Sequence, residues 1–376
     1  MVGTVLALLL VGFALALPAT WLLVRLGHRV GALDTPGVAG HVKELRRVPN
    51  IGGVAIFWAV VGPLAAGLAA MALVPDELTA RLPGLSVHLE RVTSARGDWF
   101  VILAGAFAIH MLGLVDDRRA LRAWPKLLLQ IAIALGTTLF SDVRLLQNFL
   151  AAYPGGEAAS IALTIAWIIV VVNAVNFIDN MDGLAGGISL IAALAFMVAT
   201  ILTAQWFVAS ALALLAGALG GFLVFNVAPA RIFMGDGGSL FIGYMLATLA
   251  ARTVYIDTDH AGYALGSAWY GVFMPIIVLA IPLYDGVYVT LWRISRGKSP
   301  FIGGHEHISH RLVELGLSKR RAVGVLWLLT AVTAMSAIGL GLLRPWQAAL
   351  VGLQLLGIFA VMAVLETSVH RRRDGA

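Results

Sequence analysis

Long apolar runs recur along the whole chain and constrain its fold more than any other feature. A transmembrane α-helix needs about 20 predominantly apolar residues, and the sequence predicts eleven such spans. In chain order they cover residues 3–24, 51–74, 99–115, 124–141, 158–176, 184–204, 206–225, 239–251, 267–292, 322–343 and 346–366. Hydrophobic residues make up 60% of the chain and charged residues only 12%, which excludes an ordinary soluble enzyme. We therefore expect an all-α integral membrane protein with one polytopic domain over residues 1–376.

The basic residues fall mainly on one side of this predicted arrangement. The loops that follow odd-numbered spans, together with the C-terminal tail, hold 20 of the 26 Lys and Arg residues. By the positive-inside rule these loops are cytoplasmic, the N-terminus lies outside and the C-terminus lies inside. The net charge of +6 then reflects cytoplasmic loops facing anionic lipid and substrate phosphates, rather than nucleic acid. The chain has no cysteine, which excludes disulfides and thiolate metal ligands.

A polar stretch over residues 173–187 separates two apolar runs and reads NAVNFIDNMDGLAGG. Its Asn173, Asn176, Asp179 and Asp182 recur at every third residue, so neighbours in this row lie close together on a helix. Ionisable groups at a membrane edge are costly, which favours a functional site. The aspartates can bind Mg²⁺ or accept hydrogen bonds from a ligand, and the asparagines can orient phosphate or water. The alternative is that the amides only join neighbouring helices.

Two more clusters place carboxylates beside predicted spans. Asp116 and Asp117 repel each other and need a cation or a shared proton. Lys126 and nearby arginines could supply that countercharge or hold substrate phosphates, and the alternative is a solvated charged loop. Asp236 lies in a glycine-rich turn, which suits a hard cation with oxygen ligands, and Phe233 could stack on a base. The alternative for Asp236 is a simple helix N-cap.

Two basic segments complete the set of candidates. The segment before the tenth span contains histidines that share a face if it is helical, and with its arginines it suits a diphosphate. Zinc binding and a basic interfacial loop are the alternatives there, and Asp285 could orient the segment. The first loop could contact a lipid phosphate, a nucleotide or a lipid headgroup. The residues concerned are Arg293, His307, His310 and Arg311 in the later segment, and His41, Lys43 and Arg46 in the first loop.

In this order, the motifs resemble those of the bacterial polyprenyl-phosphate N-acetylhexosamine-1-phosphate transferase family over about residues 31–321. They read DD, then N-x-x-N-x-x-D-x-x-D-G-L-A, then F-N-x-x-P-A-x-x-F-M-G-D-x-G-S, then S-P-F followed by a histidine motif. Enzymes of this family move a phospho-sugar from a UDP-sugar to undecaprenyl phosphate and release UMP. They use Mg²⁺ at the cytoplasmic face of the bacterial plasma (inner) membrane, and for this chain we expect Mg²⁺ with Mn²⁺ as an alternative.

The resemblance implies the same activity for this chain, most simply with UDP-N-acetylglucosamine as the UDP-N-acetylhexosamine donor. It implies undecaprenyl phosphate and membrane lipid as partners, with a homodimer as an option. The product would initiate a cell-envelope glycan such as lipopolysaccharide. The motifs and the resemblance together assign catalysis to Asp116, Asp117, Asp179, His307 and His310, and metal binding to Asp236, Asp116 and Asp117. They assign substrate binding to Lys126, Asn173, Asn176, Asp182, Asn226, Phe233, Arg293, Arg311, His41, Lys43 and Arg46.

The chain also departs from the family pattern at four positions. Asn180 stands where Gly is frequent, and Ser309 stands where a further His is usual. Gly304 replaces an acid before the histidine motif, and Asn50 replaces an Arg. The segment HISHRL resembles the N-acetylglucosamine branch more than the phospho-MurNAc-pentapeptide translocase branch, which remains an alternative. A cation-coupled transporter is a further alternative, but it predicts an inverted repeat that the sequence does not show.

Overall fold

The structure is a computed structural model that describes residues 1–33, 46–73, 96–253, 269–299, 304 and 306–374. Within these ranges, no side chains are described for residues 71–73, 96, 148 and 366–374. Regular structure in the described ranges is helical, apart from one isolated β-bridge between Leu33 and Pro49. The all-α class predicted from the apolar runs is confirmed.

Fourteen α-helices and two 3₁₀ turns make up this described part of the chain. The helices are α1 Val2–Val30, α2 Gly52–Leu73, α3 Arg96–Arg118, α4 Ala123–Phe140, α5 Gln147–Leu150, α6 Gly156–Ile178, α7 Leu184–Leu202, α8 Trp206–Asn226, α9 Gly235–Arg252, α10 Met274–Val278, α11 Ala280–Ser295, α12 Ile308–Glu314, α13 Lys319–Ala337 and α14 Pro345–Asp374. The 3₁₀ turns are Trp269–Phe273 and Leu340–Leu342.

Nine helices of the described chain are long and apolar enough to cross a membrane, namely α1–α4, α6–α8, α13 and α14. Each corresponds to one of the eleven predicted spans. The predicted ninth span is a bent pair, in which Trp269–Val278 meets α11 at 71°. Pro282 contributes to this break, because it lacks the N–H that would bond to the carbonyl of Val278 in a continuous helix. The predicted eighth span falls within α9.

Helix α9 lies at the centre of the fold and packs mainly against α2, α3 and α6. Its residues 237–251 are all buried. Glycines let the neighbouring helices approach its first turn closely. A methyl group at Gly53 of α2 would collide with the backbone of Gly238, and one at Gly113 of α3 would collide with the backbone of Asp236. Both contacts therefore fix the turn that carries Asp236.

The C-terminal helices form a second, smaller apolar cluster beside this centre. It joins Ile178 and Leu184, which flank the 179–183 loop, to Ile308 of α12, Leu326 of α13 and Met362 of α14. This packing places the histidine segment against the end of α6. The two halves of the candidate site are thereby brought to the same end of the helix bundle.

Candidate functional site

Lys126 joins two carboxylates that come from different helices. Its Nζ donates to Asp116 Oδ2 at 2.6 Å and also contacts Asp236 Oδ2. Asp116 lies near the C-terminal end of α3, Lys126 near the start of α4 and Asp236 in the first turn of α9. The second Asp116 oxygen, Oδ1, accepts from Leu121 N at 2.6 Å. One ammonium group therefore offsets the repulsion between two acids that are 120 positions apart in the chain.

Asp117 caps the start of α9. Its Oδ1 accepts from Asp236 N at 2.9 Å, and its Oδ2 accepts from Gly237 N at 3.0 Å. Asn50 Nδ2 donates to the same Oδ1 at 2.9 Å. A carboxylate at this position satisfies amides that a helix leaves without intrahelical partners, and it interacts favourably with the helix dipole. Asp117 thus positions Asp236 through its backbone.

The asparagines of the 173–187 stretch point to different partners. Asn176 Nδ2 donates to Asp236 Oδ1 and to Ser239 Oγ, each at 2.9 Å. Asn173 Nδ2 instead donates to Gln130 Oε1 on α4 at 2.7 Å and to Ile169 O at 2.8 Å. Asn176 therefore belongs to the cluster of Asp116, Lys126 and Asp236, which we call the carboxylate centre. Asn173 instead joins two helices.

Asp182 ties the first loop to the turn before α9. Its Oδ1 accepts from Arg46 Nη1 at 2.6 Å, and its Oδ2 accepts from Ala230 N at 2.9 Å. The Arg46 guanidinium also lies 5.2 Å from the centre of the Phe233 ring, within cation–π range. The side chain of Arg46 remains 38% exposed, so a phosphate could still reach it. Asp182 acts here as the partner that orients an arginine.

Two predicted site residues contact the loop backbone near α6 and α8. Asn226 Oδ1 accepts from Gly183 N at 3.0 Å, and its Nδ2 donates to Ile232 O at 2.9 Å. Asp179 follows the end of α6, where its N–H bonds to Asn176 O at 3.3 Å. Asn226 therefore holds the 179–183 loop against the turn that leads to Asp236.

The histidine segment is anchored by Asp285 of α11. His307 Nδ1 lies 2.7 Å from Asp285 Oδ2, and Ile308 N donates to Asp285 Oδ1 at 2.8 Å. Asp285 is fully buried and His307 is 5% exposed. Because the segment continues as α12, His307 and His310 stand at its first turn. The expected orienting role of Asp285 thus has direct geometric support.

The two predicted arginines of this segment share one partner residue. Arg293 Nη2 donates to Glu306 Oε2 at 2.9 Å, and Arg311 Nε donates to Glu306 O at 2.9 Å. Arg311 also packs over the Tyr288 ring, with 4.9 Å from its guanidinium carbon to the ring centre. Burial raises the pKa of Glu306, but the hydrogen bond and charge of Arg293 outweigh this effect and hold that pKa below its usual value.

The carboxylate centre offers two carboxylates, those of Asp116 and Asp236, to a divalent cation. Asp116 and Asp236 direct oxygens at one point, where the Lys126 ammonium lies, and carboxylate oxygens are the preferred ligands of Mg²⁺. Within the described part of the chain, no group of three or more Asp, Glu or His side chains is arranged to hold a metal. Asp117, the third predicted ligand, directs both oxygens at backbone amides.

Some predicted site residues lie outside the described chain, and some observed contacts were not predicted. His41 and Lys43 fall in the first group. The second group includes His110, whose Nδ1 lies 2.8 Å from Gly237 O while its ring stacks on Phe57 with centroids 4.3 Å apart. It also includes Gln130. Both are polar residues inside predicted apolar spans, and that was the only sequence signal for them.

Known proteins with similar sequences were found along most of the chain. The family described as glycosyl transferase family 4 matches residues 99–254. A probable undecaprenyl-phosphate N-acetylglucosaminyl 1-phosphate transferase of Bacillus subtilis is 31% identical over 333 residues, which cover 86% of this chain and 81% of that protein. A decaprenyl-phosphate N-acetylglucosaminephosphotransferase of Mycolicibacterium smegmatis is 31% identical over 371 residues, covering 93% and 84%. A phospho-N-acetylmuramoyl-pentapeptide-transferase of Desulforudis audaxviator is 31% identical over 337 residues, covering 83% and 89%.

Proposed function

Because the chain belongs to glycosyl transferase family 4, we propose that it transfers N-acetylglucosamine-1-phosphate from UDP-N-acetylglucosamine to undecaprenyl phosphate and releases UMP. The single observation that carries the proposal is the convergence of Asp116, Lys126 and Asp236 at the ends of three packed helices. The names of two relatives with high coverage give the acceptor and sugar class that the proposal adopts.

The reaction brings two anions together, and the charged residues of the site serve that task. An oxygen of the acceptor phosphate bonds to the sugar-bearing phosphorus, while the bond from this phosphorus to the UMP oxygen breaks. Positioning and charge stabilisation provide most of the catalysis in phosphoryl transfer. Lys126 can contact a phosphate oxygen once it leaves one of its two carboxylates, and Arg46 can do so from the first loop.

Mg²⁺ is the cation that we propose for the carboxylate centre. Asp236 and Asp116 would hold it, and it would stabilise the charge that develops on the leaving UMP. Asp117 would act by fixing the first turn of α9, which carries Asp236. A carboxylate of the aspartate pair could deprotonate the acceptor phosphate or attack phosphorus in a two-step route, and Asp116 is the one placed beside Lys126.

The histidine segment provides a second cationic surface for the donor diphosphate. Arg293 and Arg311 are each 3% exposed, and both donate hydrogen bonds to Glu306. They therefore support this surface from the protein interior. His307 and His310 stand at the start of α12, next to the 179–183 loop. We place this surface and the carboxylate centre at the cytoplasmic face of the bacterial inner membrane, because the basic loops fall on that side.

The direct test is release of UMP by purified protein in detergent or nanodiscs. We expect release only when UDP-N-acetylglucosamine, undecaprenyl phosphate and Mg²⁺ are all present, with loss after EDTA and recovery with Mg²⁺ or Mn²⁺. The matched control is Asp236→Asn, which keeps the side-chain size and should abolish turnover while the protein stays folded. No UMP from folded protein with any UDP-N-acetylhexosamine would overturn the proposal.

A second candidate is phospho-N-acetylmuramoyl-pentapeptide transfer, which the Desulforudis relative favours. A competition between UDP-N-acetylglucosamine, UDP-N-acetylgalactosamine and UDP-N-acetylmuramoyl-pentapeptide separates the two. Transfer from the first donor supports the main proposal, and transfer from the third alone supports the alternative.

A further inference from the structure

A hydrogen bond connects the 179–183 loop with α12, which we call the histidine helix because it follows His307 and contains His310. Ser309 Oγ donates to Asn180 Oδ1 at 2.6 Å, and Ser309 is fully buried. Asn180 also uses its amide, since Nδ2 donates to Phe177 O at the end of α6 at 3.0 Å. The Asn180 side chain therefore bridges the end of α6 and the first turn of α12.

This bond is the second of two fixed points on α12. At the first, Asp285 of α11 holds His307 and the Ile308 amide. At the second, Asn180 holds Ser309. These two polar contacts on successive residues add to the apolar packing of Ile308 and Leu312 and restrict how far α12 can shift or rotate. They therefore restrict the direction in which the following His310 points.

Because Asn180 and Ser309 are in direct contact, their side chains share one buried volume. Exchanging Asn180 for Gly would remove a side chain from this interface, and exchanging Ser309 for His would add a similar volume. The two exchanges made together would therefore leave the packed volume nearly unchanged, whereas each alone would not.

We propose that Asn180 and Ser309 are a matched pair of positioning residues that aligns the histidine helix with the Asp179–Asp182 loop for the transfer reaction. The inference rests on the proposed function, because it names what sets the geometry of that same site. The pair acts through the histidine helix and does not itself contact the reacting phosphates.

A double-mutant cycle tests the pairing. We expect Asn180→Gly to lower kcat because it leaves the buried Ser309 hydroxyl without its acceptor, and Ser309→His to lower kcat by overpacking. The combined variant should regain at least about tenfold over the product of the two single effects, within the range measured for contacting residues. If the loss of kcat in the combined variant equalled the product of the two single losses, the proposed pairing would be overturned.

Smaller substitutions keep the test valid if the bulky variant misfolds. Ser309→Ala should lower kcat while the KM for undecaprenyl phosphate stays unchanged, and Ser309→Thr should restore activity because it keeps the hydroxyl. The matched control is Ser189→Ala on α7, since Ser189 is also buried and its hydroxyl has no hydrogen-bond partner within the described residues. Equal losses of kcat in the Ser309→Ala and Ser189→Ala variants would show that the link has no positioning role.

Failure of the proposed function can be told apart from failure of this inference. If the unmodified protein released no UMP from any donor, the transferase proposal would fail. The cycle would then be read from the unfolding temperature of the four proteins, where the pair still predicts recovery in the combined variant. Additive shifts in that measurement would overturn the pair independently.

Discussion

Asp117→Asn separates a helix-capping role from a metal-binding role. In the structure the Asp117 carboxylate accepts from the backbone N–H groups of Asp236 and Gly237 through different oxygens. A carboxamide has one acceptor oxygen, so one backbone N–H would face the new NH₂ group as donor against donor. The substitution also removes a negative charge from the N-terminus of α9. It should therefore destabilise the protein even without any ligand.

The expected magnitude follows from these contacts. A hydrogen bond to a charged group contributes about 1.5–3 kcal/mol, and one of the two backbone bonds is lost. Removal of the charge at the helix N-terminus costs a further ~0.3–1 kcal/mol. The Asp117→Asn variant should thus lose about 2–4 kcal/mol of stability.

The assay is thermal unfolding in detergent without Mg²⁺ and without substrates, paired with UMP release. Asp142→Asn is the control, because it removes an exposed carboxylate that lies just after the C-terminal end of α4, away from the carboxylate centre. We expect a lower unfolding temperature for Asp117→Asn alone, together with reduced turnover. Unchanged ligand-free unfolding with abolished turnover would refute the capping argument and favour Asp117 as a metal ligand.

Three further experiments probe the charges and the packing. Lys126→Gln leaves two acids without their shared cation, so UMP release should fall at least about 100-fold, and Lys126→Arg should restore little because the guanidinium is planar and larger. Gly53→Ala should destabilise the protein by about 1–3 kcal/mol through its collision with α9, whereas Gly67→Ala on the same helix meets nothing within 4 Å and should be neutral or slightly stabilising in thermal unfolding. Arg293 holds the pKa of Glu306 below its ordinary value of 4.5. The ion pair of Arg293 and Glu306 therefore stabilises the folded protein above pH 4.5, and this stabilisation is lost as the pH falls through the lowered pKa of Glu306. When the unfolding temperature is measured at decreasing pH, the Glu306→Gln variant should have a lower unfolding temperature than the unmodified protein at neutral pH. Its unfolding temperature should then fall less as the pH is lowered.

The fold class could be predicted because lipid requires long apolar helices, and these are visible in local sequence. The predicted eighth span shows the limit of this reasoning. Helix α9 starts at Gly235, four residues before the predicted span, and is absent from the nine helices that meet the length and hydropathy requirement in the described chain. Because protein surrounds α9, its residues need not match lipid.

The sequence could indicate which polar clusters to compare, but it could not indicate which side chains contact each other. The row of Asn173 and Asn176 suggested one common surface, yet a helix turns about 300° over three residues, so the row drifts around its axis. Asn173 consequently meets α4, while Asn176 meets Asp236. Contacts such as Lys126 with Asp236 or Asp182 with Ala230 join residues far apart in sequence, and only the packing of the helices decides them.

The enclosed position of α9 has a consequence for how the protein is made. The helices that pack most closely on it, α2, α3 and α6, all precede it in the chain, as do α7 and α8, which also contact it. Synthesis proceeds from the N-terminus, so these five helices are made before the ribosome delivers Asp236 and the residues after it. A helix with a carboxylate in its first turn can then enter a protein-lined slot instead of bare hydrocarbon. The order of translation thereby spares a helix with a carboxylate in its first turn from facing lipid alone.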